Sequence, residues 1–124
     1  MNKILSFIIV LSLLNSCNYV NYQQGQDLYK TNCATCHMPD GSGVNELYPS
    51  LNNLDQNSFN LSEMPCIIRN GLGNELSLIQ MSGLEHLSEV EINNIVNYVL
   101  NDMNNLSLEF TIQQTEETLK DCSE

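Results

Sequence analysis

Residues 33–37 of this 124-residue chain read Cys-Ala-Thr-Cys-His, which places two of its five cysteines and one of its two histidines within five positions. No other stretch constrains the fold as strongly. The remainder has room for one modest domain. It offers short helical signals, long loops and little strand, so its apolar core is thin for its length. Small domains of that kind usually need a staple such as a metal, a disulfide or a cofactor. The cluster is therefore expected to hold the fold together as well as to carry its chemistry.

The N-terminus sets the compartment. Lys3 precedes an apolar run from Ile4 to Leu14, shorter than the roughly 20 residues that cross a bilayer as a helix. A basic start, a short apolar run and small residues after it read as a secretory signal over residues 1–16. Leu14-Asn15-Ser16-Cys17 resembles a bacterial lipobox. Cys17 would then become a lipidated N-terminus held by several acyl chains, at about 0.8 kcal/mol per buried CH₂. The plainer alternative is an ordinary signal peptide with an incidental cysteine. The expectation is an exported, membrane-anchored lipoprotein facing the periplasm or the cell exterior.

Without Lys3, three basic side chains face fifteen acidic ones, a formal charge of −12 for residues 17–124. Such a surface repels nucleic acid and anionic headgroups. It suits basic docking patches on redox proteins, with association that weakens as salt rises. It also suits plain solubility, and charge alone does not separate these uses.

Along the mature chain, residues 17–24 read as a tether. A short helix is predicted over residues 25–36 with Leu28 and Tyr29 on its apolar side. Pro39, Gly41, Gly43 and Pro49 mark loop from Met38 to Asn60. Ser62 is expected to cap a helix over residues 63–70, with Pro65 in its first turn and Gly71 ending it. Ser88 and Glu91 form a capping box. Ile92, Ile95, Val96, Val99 and Met103 follow it as one stripe of a helix reaching about Met103. Leu106 to Ile112 alternates like a short strand, and Thr115 to Cys122 suits a helical turn or two. The many asparagines read as compositional bias.

Three chemistries could use the cluster. Structural zinc needs about four ligands, usually as two separated pairs. Cys66, His86 and Cys122 are the only further candidates, and none forms a second close pair. A thioredoxin-like dithiol belongs where a strand meets a helix in a parallel-sheet fold, and no such sheet is visible. Cys-x-x-Cys-His is also the attachment signature of a c-type haem. Two cysteines three positions apart lie on one face of a turn and reach two vinyl groups, and the adjacent histidine offers its imidazole to iron. An exported chain is where such attachment occurs, so haem is the favoured reading.

From Gly25 to about Met103 the chain resembles a class I, monohaem cytochrome c. Gly25-Gln-Asp-Leu28-Tyr29 matches the family's Gly-x-x-x-aromatic helix. Its glycine would let the C-terminal helix cross closely at Ile95 and Tyr98. Asp40-Gly41-Ser-Gly43 is similar to the loop that follows the haem motif, and Tyr48-Pro49-Ser-Leu51 to the family's Tyr-Pro-Pro-Leu segment. Leu87-Ser88-Glu89-Val90-Glu91-Ile92 is similar to its Leu-Ser-Asp-x-Glu-Ile helix start. The resemblance implies an all-α, cytochrome c-like fold of short helices packed round one covalently bound haem c. Cys33 and Cys36 would form the thioethers, His37 the proximal ligand, and the Pro49 carbonyl would accept the His37 Nδ1 hydrogen. The domains implied are signal 1–16, tether 17–24, cytochrome domain 25–103 and C-terminal extension 104–124.

The family's sixth ligand is a methionine, and Met81 has the family's spacing ahead of the capped helix, with Leu84 replacing an aromatic and Ser82 replacing the usual proline. Met64, beside Pro65, and His86 are the competitors. Met38 is too close to His37, and Met103 lies on the core stripe. Lipid and haem account for three cysteines, leaving Cys66 and Cys122, which in an oxidising compartment are expected to pair and pin the acidic tail. The function implied is a lipid-anchored carrier of single electrons between membrane or periplasmic redox partners, not an enzyme by itself. The alternatives are a haem c subunit of a larger oxidoreductase and a haem-based gas or redox sensor.

Overall fold

The computed structural model describes residues 22–45, 47–55, 61–73 and 79–122. The signal sequence, Cys17 and most of the tether lie outside the described residues. The described chain is all-α, with helices α1 (Gln23–Asn32), α2 (Ala34–His37), α3 (Met64–Asn70), α4 (Glu89–Asn97) and α5 (Ile112–Asp121). A 3₁₀ turn over Leu61–Glu63 leads into α3, and α4 continues as a π-helical turn over Tyr98–Met103. Two short strands, β1 (Gly71–Leu72) and β2 (Met81–Ser82), pair antiparallel, with Gly71 opposite Ser82 and Leu72 opposite Met81.

The crossing of α1 and α4 organises the core. A Cβ at Gly25 would run into the Asn94 carbonyl and the Tyr98 side chain, so only glycine lets the two backbones approach this closely. The sequence had pointed to Ile95 and Tyr98. Tyr98 is there, but Ile95 lies in the core and the Asn94 backbone takes the contact. One turn beyond Gly25, the buried Tyr29 ring sits 5.5 Å from that of Tyr98. The Ser88–Glu91 capping box forms with both of its reciprocal hydrogen bonds.

From Ile95 to Leu100 every residue is buried. An amphipathic stripe hides only one side of a helix, so six consecutive buried positions require a second cover. The chain after Met103 provides it. Residues 105–111 are not the strand that their alternation suggested, because Asn105 and Ser107 adopt left-handed φ of 52° and 53°. Asparagine side chains of the α4 helix take the place of a neighbouring strand. Asn97 Nδ2 donates to the Phe110 carbonyl at 2.8 Å while its Oδ1 accepts from the Phe110 N–H at 2.8 Å. Asn101 does the same with Leu108, at 2.8 and 2.7 Å. Asn93 reaches the Phe110 carbonyl and Thr115 Oγ1, and Asn104 reaches the Leu51 and Val99 carbonyls. These asparagines form a ladder, which corrects their reading as compositional bias.

Three further expectations change. The tether does not reach residue 24, since Gln23 and Gln24 are already helical and Gln23 Nε2 bonds the Gln26 and Asp27 side chains. Glu63, not Ser62, caps α3, with no side-chain cap bond, because the 3₁₀ turn feeds the chain straight into the helix. The tail helix runs a full ten residues, opened by a capping box of Thr111 and Gln114. It packs on α3 and α4, so residues 104–122 belong to the same body as the domain before them.

Candidate haem site

One tight turn carries the whole Cys-x-x-Cys-His cluster. The Cys33 N–H donates to the Tyr29 carbonyl at 2.8 Å, and the Cys36 and His37 N–H groups both donate to the Cys33 carbonyl at 3.1 and 2.9 Å. The chain leaves this turn through Met38 at φ 66° and ψ 153°, a conformation that costs a residue other than glycine about 1–3 kcal/mol. Its carbonyl accepts from the Tyr29 hydroxyl at 2.9 Å, which satisfies a buried donor. Burial, and then the charges of Cys33, Tyr98 and Asp40, hold the Tyr29 pKa far above the usual phenol value, so the hydroxyl stays protonated.

The following loop orients His37. Gly43 sits at φ 68° and donates its N–H to the His37 carbonyl at 3.0 Å. A Cβ there would collide with the Tyr48 carbonyl and Pro49. Val44 and Tyr48 close the loop back on itself. The Pro49 carbonyl is thereby brought 2.9 Å from His37 Nδ1. A carbonyl only accepts, so Nδ1 carries a proton and, in the neutral ring, Nε2 is the nitrogen with a lone pair for a metal.

Cys33, Cys36, His37 and Met81 all line one cavity of about 330 Å³, with apolar walls that include Leu47, Leu72, Ile79 and Leu84. Burial pushes the Cys33 thiol up to about 11, with Cys36 adding to the effect, so before attachment it is held as S–H. Two thiols and an unprotonated imidazole nitrogen around an apolar cavity, with a thioether side chain in the same wall, fit haem c. The two cysteines would hold the porphyrin covalently and His37 its iron.

Met81 reaches the cavity because β2 is laid on β1. Gly71 and Gly83 permit this, since a Cβ on either would strike the backbone of Met81 or of Arg69 and Asn70. The competitors are elsewhere. Met64 is buried in the core and does not line the cavity, His86 is exposed, and Met103 packs over Gly41. Cys66 and Cys122 are joined as a disulfide. Among the described residues no three His, Cys, Asp or Glu side chains are grouped so as to hold a metal ion. Sequence reasoning missed the Tyr29–Met38 bond and the exposed Leu47 and Leu72 at the cavity rim. Neither has a local signal, since the partners meet only through the fold.

Over 85 residues the chain is 34% identical to the cytochrome c subunit of the alcohol dehydrogenase (quinone) of Gluconobacter oxydans (strain 621H). That match takes in 60% of this chain and 17% of the relative, so the chain spans about a sixth of that protein's length. Residues 20–99 match the family model described as cytochrome c oxidase, cbb3-type, subunit III. With that match laid across the attachment turn, its Pro49 hydrogen bond and the cavity they share, the chain belongs to this family of c-type cytochromes and carries covalently bound haem c, whose chemistry is electron transfer.

Proposed function

We propose that the chain is a membrane-anchored carrier of single electrons, held to the lipid through Cys17, with its iron kept between His37 and Met81. The observation that carries the reading is the shared cavity, in which Met81 alone of the candidate sixth ligands lies in the same wall as both thiols and His37. The bound haem supplies the one-electron couple. The protein's own residues do the rest. Pro49 fixes the tautomer and direction of the imidazole, which raises its basicity as a ligand. Leu47, Leu72 and Leu84 give the cavity apolar walls. A methionine and a histidine together as iron ligands would give a higher potential than two nitrogen ligands.

A second reading is favoured by the family description and the relative, each of which names a subunit. In it the chain works as the haem c subunit of a larger oxidoreductase, and stable co-purification with a large enzyme would select it. The ligand assignment has a direct test. Sulfur ligation gives the oxidised protein an absorption band at the far-red end of its spectrum. Met81→Ala should abolish it, while Met64→Ala and His86→Ala should leave it. Persistence of the band in Met81→Ala would overturn the assignment.

A further inference from the structure

We propose that the C-terminal segment 104–122 is a strap that positions Met81, by clamping the helix on which the Met81 strand is laid. This rests on the reading of Met81 as the sixth ligand, and the test below separates the two. The β2 strand is two residues long and has little hold of its own. Its described backbone contacts lead to α3 and the chain leaving it. β1, which extends directly from α3, pairs with it. Just beyond it, the Leu84 N–H donates to the Ile68 carbonyl at 2.8 Å, and Arg69 Nη1 donates to the Glu85 carbonyl at 3.1 Å. Gly83 lies directly on the Arg69 and Asn70 backbone. Met81 therefore goes where α3 goes.

α3 itself is a platform in need of support. It has seven residues and no side-chain cap bond, far short of what an isolated helix needs. Its inner side is packed through Met64, Pro65 and Ile68. Its outer side is held through Cys66, bonded to Cys122 just past the end of α5. The other end of the strap is the asparagine ladder, which ties residues 108 and 110 to α4. The helix before the ligand loop and the helix after it are thus fastened to one segment. A methionine ligand in a two-residue strand gains its fixed position from that closed circuit.

The experiment uses the full-length haem-loaded protein and the Cys66→Ser/Cys122→Ser variant, with Asn101→Ala as a second cut at the ladder end that leaves the cysteines intact. Ile92→Val, a fully buried core position that neither lines the cavity nor belongs to the asparagine ladder, is the control that destabilises the domain away from the strap. Two readouts are taken on each: the far-red band of the oxidised protein against far-UV circular dichroism on heating, and the rate of CO binding to the reduced protein. Because apparent binding scales with the open fraction, we expect CO binding to rise about tenfold in both strap variants and to stay unchanged in Ile92→Val. The band should bleach well below the temperature at which helicity is lost, and only in the strap variants. If band and helicity are lost together, with CO binding unchanged in both strap variants, the strap is structural only and the proposal fails. If Met81→Ala keeps the band, the ligand reading fails instead.

Discussion

Asn97 donates to and accepts from the same backbone residue, Phe110, and does so from a position that is almost fully buried. Among the described residues no buried side-chain polar atom lacks a partner, so the ladder offsets its own desolvation. Truncation to alanine would strand the Phe110 N–H, at a cost of about 1–3 kcal/mol, and leave the Phe110 carbonyl to Asn93 alone. Asn97→Ala is therefore expected to destabilise by about 1–3 kcal/mol in urea unfolding. Asn97→Asp keeps the acceptor but turns a carboxylate oxygen toward the Phe110 carbonyl, so it should cost at least as much as alanine. A cost for either variant below about 0.5 kcal/mol, the range of ordinary surface changes, would refute this role. The same residue marks where the sequence is hard to read. The haem cluster is legible because Cys33, Cys36 and His37 meet within one turn. Asn93, Asn97 and Asn101 do have a local signal, a spacing of four that puts them on one helix face. Nothing in that spacing says that another piece of backbone lies against the face.

At the scale of elements, α4 was readable for two reasons that agree: an apolar stripe at helical period and a capping box at its start. The tail was misread because alternation reports alternating burial, not a strand. Leu106, Leu108 and Phe110 are partly buried in turn, while asparagine side chains bond the backbone of Leu108 and Phe110 and Leu106 bonds the Leu100 carbonyl. The capping box also makes a pH prediction. Glu91 accepts from the Ser88 N–H and hydroxyl, both at 2.8 Å, and those bonds hold its carboxyl below the ordinary value of 4.5. The folded chain thus binds this proton less readily than the unfolded chain. The stabilisation is complete above the unfolded value and is lost as pH falls through the lower folded one. Glu91→Gln keeps the cap geometry without the titration. Its urea midpoint should match the parent's near neutral pH and decline less steeply between about pH 5 and about pH 3. Parallel acid limbs in the two proteins would show that Glu91 contributes nothing to the acid sensitivity.

At the scale of the whole molecule, the described residues keep charged side chains out of the cavity lining. Residues 17–124 carry three basic and fifteen acidic side chains, −12 in all. Yet among the described residues none that lines the cavity is Asp, Glu, Lys or Arg, and its exposed members include Leu47, Leu72, Ile79, Gln80 and Ser82. Partners would therefore touch an uncharged, largely apolar mouth while feeling the charge from a distance. A field of that kind acts through the sum of many charges, and its reach is the screening length, about 30 Å at 0.01 M salt and about 8 Å at 0.15 M. Small redox reagents of opposite sign separate this from specific pairing. Oxidation or reduction by a cationic metal complex should slow by about tenfold as salt rises across that range. The rate with an anionic complex should rise instead. Because no single side chain dominates, Glu117→Gln, on the exposed side of α5, should change either rate by less than about twofold. A salt effect of the same sign for both reagents would remove long-range charge as the cause. A large effect of the single neutralisation would mean that the contact face includes α5, and that partners do not meet the protein at the cavity mouth alone.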